Sequence, residues 1–424
     1  MFYTEDNTLL MIIFLIPNQI GPLIMRSNAA ITTSTANKFD SWRSISIALY
    51  MALVGYSVMV SIPVISTAWV SMLGFTEEQV GRVAGADLGG LSIGAVITAM
   101  FVSRVNRRLL VLIGVAVAIT SNALCMVYVD YQTVLWLRVA AGIGSGIYTS
   151  VAVVSLGGTS NPARSYNLLL FAFAFSTALE LYLLPKLSMN GIYLTFIGLY
   201  VLGLFFIFWV PSKPQAINEQ PESDQKQQSS NWKVKSFLPW ICLTAMFFTY
   251  INIGGYWTYI ELASLKQNIA ADWIGKLLVW TSLFSILGCL LATALSNRYG
   301  LFKPLILSLI AMMSIVGMLS GGITTTNIMI SLFSFNLLWI FIDVYQMSMI
   351  ARMDRSGSLA ALVPGAQGLG QIVGPNIAAS VLGAELGYNT LFMVCASMVM
   401  VAIILYTAVF IYIRLNQPSL AEAT

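Results

Sequence analysis

Four ionisable side chains stand where water should not reach them. Asp87, Arg138, Glu180 and Asp343 each fall inside a long apolar run. A charged group at mid-membrane costs at least about 2.5–3.5 kcal/mol on insertion scales, so such groups are kept for a purpose. An adjacent cation favours the ionised form of a carboxylate, whereas burial opposes it, so moving such a pair can load and release a proton. No histidine occurs in the chain, which leaves any proton chemistry near neutrality to Asp and Glu. Counted from the nearer end of each run, Asp87 is about seven residues deep, Arg138 about five and Glu180 about four. At 1.5 Å rise per helical residue this puts all three roughly 6–11 Å below one surface. The spacing predicts a coupling cluster in which Arg138 neutralises Asp87 or Glu180 and is freed when the carboxylate takes a proton. Asp343 falls in the opposite half of the layer. Glu261, at the end of another run, reads as a solvated rim residue.

Other chemistries find no residues. The chain contains no HExxH, no GxSxG and no Cys/His cluster. An aspartyl-type membrane enzyme needs paired carboxylates at one depth, and only Asp87 with Glu180 could imitate that, so an enzyme is not expected. Cys125, Cys242, Cys289 and Cys395 all sit in apolar runs with neither zinc nor CxxC spacing. They read as small buried hydrophobes, and neither a metal nor a cofactor is expected. A net charge of +4 is too small to suggest nucleic acid.

The elements that must carry these charges follow from composition. The chain is 58% hydrophobic and 9% charged, against about 25% charged in a soluble domain. Twelve apolar spans are each long enough to cross about 30 Å of hydrocarbon as a helix. They cover 45–68, 80–102, 109–128, 133–157, 166–184, 191–210, 237–260, 273–295, 304–322, 327–350, 358–383 and 389–412. This is an all-α, multi-pass membrane protein in contact with the lipid bilayer. Residues 211–236, rich in Gln, Ser and charge, read as a flexible linker between two six-helix halves, 44–210 and 237–415. With both termini cytoplasmic, 16 of the 21 Lys and Arg residues fall on the cytoplasmic side, as the positive-inside rule requires. The linker and the tail 416–424 are then cytoplasmic too. Residues 1–43 read as an extension rather than a span, because the apolar stretch 9–24 is short and broken by Pro17 and Pro22.

Two basic hairpins repeat at half the chain length. Ser103-Arg104-Val105-Asn106-Arg107-Arg108 and Asn297-Arg298-Tyr299-Gly300-Leu301-Phe302-Lys303 each join two spans, 194 residues apart from Arg104 to Arg298. Duplicated halves around a shared interface are how many secondary transporters are built. A second pattern, Arg138-x3-Gly142-x-Gly144-x-Gly146, lies in the fourth span, and a third runs from Gly365 through Gly368, Gly370 and Gly374 to Pro375. Gly254-Gly255 and the third pattern are candidate bending points, whereas Gly142, Gly144 and Gly146 form a small-residue stripe suited to close helix packing.

Together these motifs resemble the major facilitator superfamily over nearly the whole chain from about residue 44. That family's first hairpin reads G-x3-D-[RK]-x-G-x-[RK]-[RK]; here the basic positions match, but Ser103 and Asn297 replace its Asp. A latch between that position and a helix N-terminus would therefore carry no charge. The resemblance implies two pseudo-symmetric six-helix bundles. It also implies a cavity lined by the first, fourth, seventh and tenth spans, whose polar and aromatic residues are Tyr50, Tyr56, Tyr148, Asn252, Tyr256, Trp257, Asn336, Trp339 and Gln346. Aromatic walls with a few polar groups suit a small organic solute. The expectation is a monomeric, proton-coupled secondary active transporter of a bacterial inner (plasma) membrane, with Asp87, Arg138, Glu180 and Asp343 coupling protons. An exporter exchanging a drug or metabolite for protons is the alternative, although the fifth span, FAFAFSTALELYLLPK, lacks the antiporter pattern G-x3-GP-x2-GG. A non-transporting receptor or sensor is the remote one.

Overall fold

The computed structural model describes residues 38–212, 237–296, 300–353 and 362–416. Among these residues there is no β-strand, and the chain forms twelve α-helices. They are α1 (Trp42–Leu73), α2 (Glu77–Phe101), α3 (Arg107–Val127), α4 (Tyr131–Gly157), α5 (Pro162–Leu183) and α6 (Met189–Phe205). The second set is α7 (Leu238–Lys266), α8 (Ala271–Ser296), α9 (Phe302–Gly317), α10 (Thr325–Met353), α11 (Val363–Gly383) and α12 (Gly387–Asn416). By length and composition ten of them can cross a membrane; α6 is apolar but shorter, and α11 is the Gly-rich exception.

Local chemistry sets the helix ends. Ser41, Asp130, Asn161 and Ser188 each accept a hydrogen bond from a backbone amide of the first turn of α1, α4, α5 and α6, satisfying a donor the helix leaves open. Thr76 and Gln79 close a capping box on α2. Gly74, with φ +71°, lets the chain reverse within three residues between α1 and α2. The sixth span is cut short: after Phe205 the chain turns into a 3-10 segment, Ile207–Trp209. There Arg108 of the hairpin donates from Nε to the Val210 carbonyl at 2.8 Å and from Nη2 to the Phe208 carbonyl at 2.7 Å. This part of the basic motif therefore clamps α3 to the end of α6, inside one half.

Packing repeats with a shift of six helices. α2 packs along α4, α3 on α4 and α6, and α1 on α4, α5 and α6; α8 packs along α10, α9 on α10 and α12, and α7 on α10, α11 and α12. These are the two pseudo-symmetric bundles. The halves meet through α2 with α11, α5 with α8 and α1 with α7, pairs that the same shift exchanges or maps onto themselves.

One face gathers the starts of α1 and α3 and the ends of α4 and α6. Asp40 accepts from the Ser160 amide at 2.7 Å, and Phe39 packs on Gly158 and under the Arg107 guanidinium. We call this the hairpin face and the opposite one the far face. Ser103 and Arg104 are exposed there, whereas Arg107 is buried. Of the second hairpin, Gly300 takes φ +69° and Lys303 is exposed; Asn297 and Arg298 lie outside the described residues, as do 1–37 and 213–236.

The glycines of the fourth span divide between two neighbours. A Cβ on Gly142 would stand 2.1 Å from the Asp87 carbonyl oxygen, and one on Gly146 2.1 Å from that of Leu91, so this edge of α4 lies on α2. A Cβ on Gly144 would meet the Gly114 carbonyl of α3 at 2.5 Å. The stripe buries backbone against backbone on both sides. The glycines of α7 and α11 do the same: Gly374 approaches the Ile251 carbonyl and Gly254 that of Gln371. Both helices run unbroken through these positions and through Pro375.

Candidate functional site

Arg138 lies one turn before Gly142, so the stripe that seats α4 on α2 also aims the guanidinium at α2. Its Nε donates to Asp87 Oδ2 at 2.8 Å, and Nη2 binds the same oxygen. Nη1 donates to Asn122 Oδ1 of α3 at 2.9 Å, and Asn122 returns a bond to the Ala118 carbonyl at 2.8 Å. The Tyr193 ring of α6 lies 5.9 Å from the guanidinium carbon, and its hydroxyl accepts from Trp69 Nε1 of α1 at 3.2 Å. Asp87 and Arg138 are 2% and 1% exposed. A buried pair keeps its charges only with such further hydrogen bonds.

The expected cluster is split. Glu180 does not join Arg138; it accepts from Ser61 Oγ of α1 at 2.6 Å and from Ser176 Oγ at 3.1 Å, with Ser57 one turn away on α1. Depth alone put the three charges together, but α5 packs on α1 and α8 whereas Arg138 looks toward α2 and α3. Glu261 corrects a second expectation. α7 continues to Lys266, so Glu261 is inside the helix, 6% exposed, next to Thr67 of α1, and its Oε2 has no hydrogen-bond partner.

Asp343 of α10 is half-buried in the hairpin-face half. Tyr250 of α7 donates to its Oδ1 at 2.8 Å and Gln367 Nε2 of α11 to the same oxygen at 2.6 Å. Tyr56 of α1 faces it from the other bundle. Among the described residues neither Asp343, Glu180 nor Glu261 is within ion-pair distance of a cation.

The bundles close on each other at the far face. Lys266 pairs with Glu77 at 3.3 Å. Arg82 of α2 donates to Asn376 Oδ1 and its carbonyl at 3.1 and 3.2 Å, and to Ser380 Oγ at 3.0 Å. Tyr259 donates to the Glu77 carbonyl at 2.6 Å, and deeper in, Trp257 Nε1 donates to the Val60 carbonyl at 3.2 Å. Below this seal, between the halves, lies a small void of about 10 Å³ lined by Met59, Ile62, Leu88, Ile253, Trp257, Trp339 and Gln371 among others, room for about one water molecule.

The nine residues expected to line a cavity separate into three groups. Tyr56, Trp257 and Trp339 stand at the junction. Tyr50 donates to the Leu199 carbonyl of α6, and Tyr148 packs edge-on against Tyr200, both within the first bundle. Tyr256 is paired to Ser331, Asn336 reaches Thr281, Gln346 donates to Thr249, and Asn252 is fully buried, all within the second bundle. Sequence reasoning missed Asn122, Tyr193, Ser61, Tyr250, Gln367 and Gln371. None carries charge, so none stood out from the apolar background.

The profile of the Major Facilitator Superfamily matches residues 47–375. No curated protein matches the sequence. Among solved structures, the nucleoside transporter NupG superposes with a TM-score of 0.63 at 12% identity, covering 86% of this chain and 98% of that one. A D-xylose-proton symporter gives 0.65 at 15%, covering 86% and 97%. The human organic anion transporter TETRAN gives 0.58 at 14%, covering 86% and 99%. With the helix order, the six-helix shift and the buried Asp87–Arg138 pair already in place, the profile assigns the family: this chain belongs to the major facilitator superfamily of transporters.

Proposed function

We propose that the protein is a proton-coupled secondary active transporter of a small organic solute, working by alternating access between its two bundles. The observation that carries this reading is Asp343. Both of its hydrogen-bond donors, Tyr250 and Gln367, converge on Oδ1, which leaves Oδ2 to take a proton or a solute hydroxyl. Tyr56 faces Asp343 from the other bundle and Trp339 lies one turn before it on α10, so with Tyr250 and Gln367 it has a setting of aromatic faces and an amide that suits an uncharged polar solute. Binding a proton at Asp343 removes the cost of a lone charge at the bundle junction, so proton and solute occupancy favour the same closed arrangement. Glu180 and Glu261 are further carboxylates without a cation on which a proton could ride. The fold likeness to a nucleoside transporter and a D-xylose-proton symporter agrees in kind with such a solute, at identities that speak for fold alone.

The proposed domains are 44–210 and 237–415, with 1–43 as an extension, 211–236 as linker and 416–424 as tail. Residues 38–43 already form a 3-10 turn and the start of α1. The basic-residue bias supports a cytoplasmic hairpin face and cytoplasmic termini, in a bacterial inner membrane, as a monomer. The arrangement described is then sealed on the outside.

Proteoliposomes loaded at one pH and diluted into another test this reading. Asp343→Asn is expected to abolish gradient-driven accumulation while preserving solute counterflow. Accumulation that follows a sodium gradient at fixed pH, or survives Asp343→Asn unchanged, overturns it. Outward accumulation under the same gradient selects the antiporter, and binding without flux the receptor.

A further inference from the structure

We propose that Cys242, Met349 and Met353 form a site for a soft monovalent cation, Cu(I), with Ag(I) as its redox-inert counterpart. Cys242 lies one turn inside the start of α7, and Met349 and Met353 lie one turn apart at the end of α10, all toward the hairpin face. Residues four apart on a helix share a face, and here that face meets the thiol. Cys242 Sγ is 3.8 Å from Met349 Sδ and 3.9 Å from Met353 Sδ. The three side chains are 0%, 0% and 5% exposed. The cysteine spacing in the sequence could not announce such a site, because two of the three donors are methionines 107 and 111 residues away.

Geometry and chemistry agree on the ligand. A transition-metal–sulfur bond is about 2.3 Å, and a trigonal cage of that radius has sulfur–sulfur edges of about 4 Å. The two measured edges fall just short of that value, so a cation would enter with small side-chain adjustments. Thiolate with thioether donors suits Cu(I); structural zinc takes four tetrahedral ligands, all of them thiolate or imidazole, and this site offers three sulfurs of which one is a thiolate. Charge points the same way. Binding exchanges the thiol proton for the metal, Cys–SH + Cu⁺ giving Cys–S–Cu + H⁺, with no change of oxidation state and the proton passing to water. The product is neutral, as an apolar core demands; a divalent ion on the same three sulfurs would leave one uncompensated charge there. Tyr406 of α12 donates to the Cys242 carbonyl at 3.1 Å, which fixes the turn of α7 that carries the thiol.

The competing possibility is plain packing of polarizable sulfur, and metal titration separates the two. Purified full-length protein, kept anaerobic with bicinchoninate as competitor, is expected to retain one equivalent of Cu(I). X-ray absorption of that sample should give a shell of three sulfurs without nitrogen or oxygen. Cys242→Ser should weaken retention at least a hundredfold, and Met349→Leu with Met353→Leu at least tenfold, while Cys289→Ser changes nothing. The methionine pair is replaced at nearly constant volume, so its melting temperature checks that the fold persists. Loss of Cu(I) to the competitor by the folded wild type, a nitrogen or oxygen shell, or retention unchanged by Cys242→Ser overturns the proposal.

Discussion

At the scale of single residues, Asp87 and Arg138 hold each other's charge in a buried pair. Both groups are sealed, and Asn122 and Tyr193 occupy the remaining sides of the guanidinium. Removing one partner of a buried pair costs about 3–5 kcal/mol, because the other is left uncompensated. Arg138→Gln should therefore melt well below wild type in detergent, and Asp87→Asn combined with Arg138→Gln should recover much of the loss. Equal melting of the single and double variants would show that the pair is dispensable in this state. The sequence announced this pair, since two opposite charges at similar depth in apolar runs are conspicuous. It put Glu180 beside Arg138, because depth along a helix says nothing about azimuth, and Glu261 at the rim, because the expected end of α7 falls before it. Ser61, which receives Glu180, looks like any other serine of α1.

Helices hold these residues to their geometry by backbone contact. With the Gly142 Cα edge pressed on the Asp87 carbonyl, a methyl group there has nowhere to go. Gly142→Ala should cost about 1–3 kcal/mol, the usual penalty of overpacking, and should also pull Asp87 away from Arg138. Gly198→Ala, where a Cβ meets nothing within 4 Å, is the matched control in the same thermal melt. If the two variants melt alike, the close approach is not limiting. The helices themselves were legible at the sequence level, within a few residues at most ends, because apolar runs and cap residues are local signals. The exceptions have local causes as well. α7 runs past the expected end at residue 260 to Lys266, carrying Glu261 inward. α6 stops early because the chain winds into a 3-10 turn whose carbonyls Arg108 holds from 100 residues away. A contact at that separation has no signature in a window of sequence.

For the whole molecule, the far-face seal makes one state of a two-state machine testable. Glu77 and Lys266 approach to 3.3 Å across the bundles. Cysteines at both positions, joined by a short bifunctional thiol reagent, should stop solute uptake, and a reductant should restore it. Full activity after complete cross-linking would mean that this face does not open. Which residues meet across the bundles was the least legible part of the chain: Tyr56, Trp257 and Trp339 reach the junction while Tyr148 and Tyr256 do not, and only the assembled crossing of twelve helices decides that. The short α6 has a consequence of another kind. Seventeen residues span about 26 Å, less than the roughly 30 Å of a typical hydrocarbon layer, and Phe205 and Phe208 stand 74% and 76% exposed where it ends. A bilayer meeting that flank has to thin locally, at a cost of fractions of a kcal/mol per ångström. The protein should be most heat-stable in lipids of shorter acyl chain and lose stability steadily as the chains lengthen, which makes membrane thickness a variable that acts on it from one side.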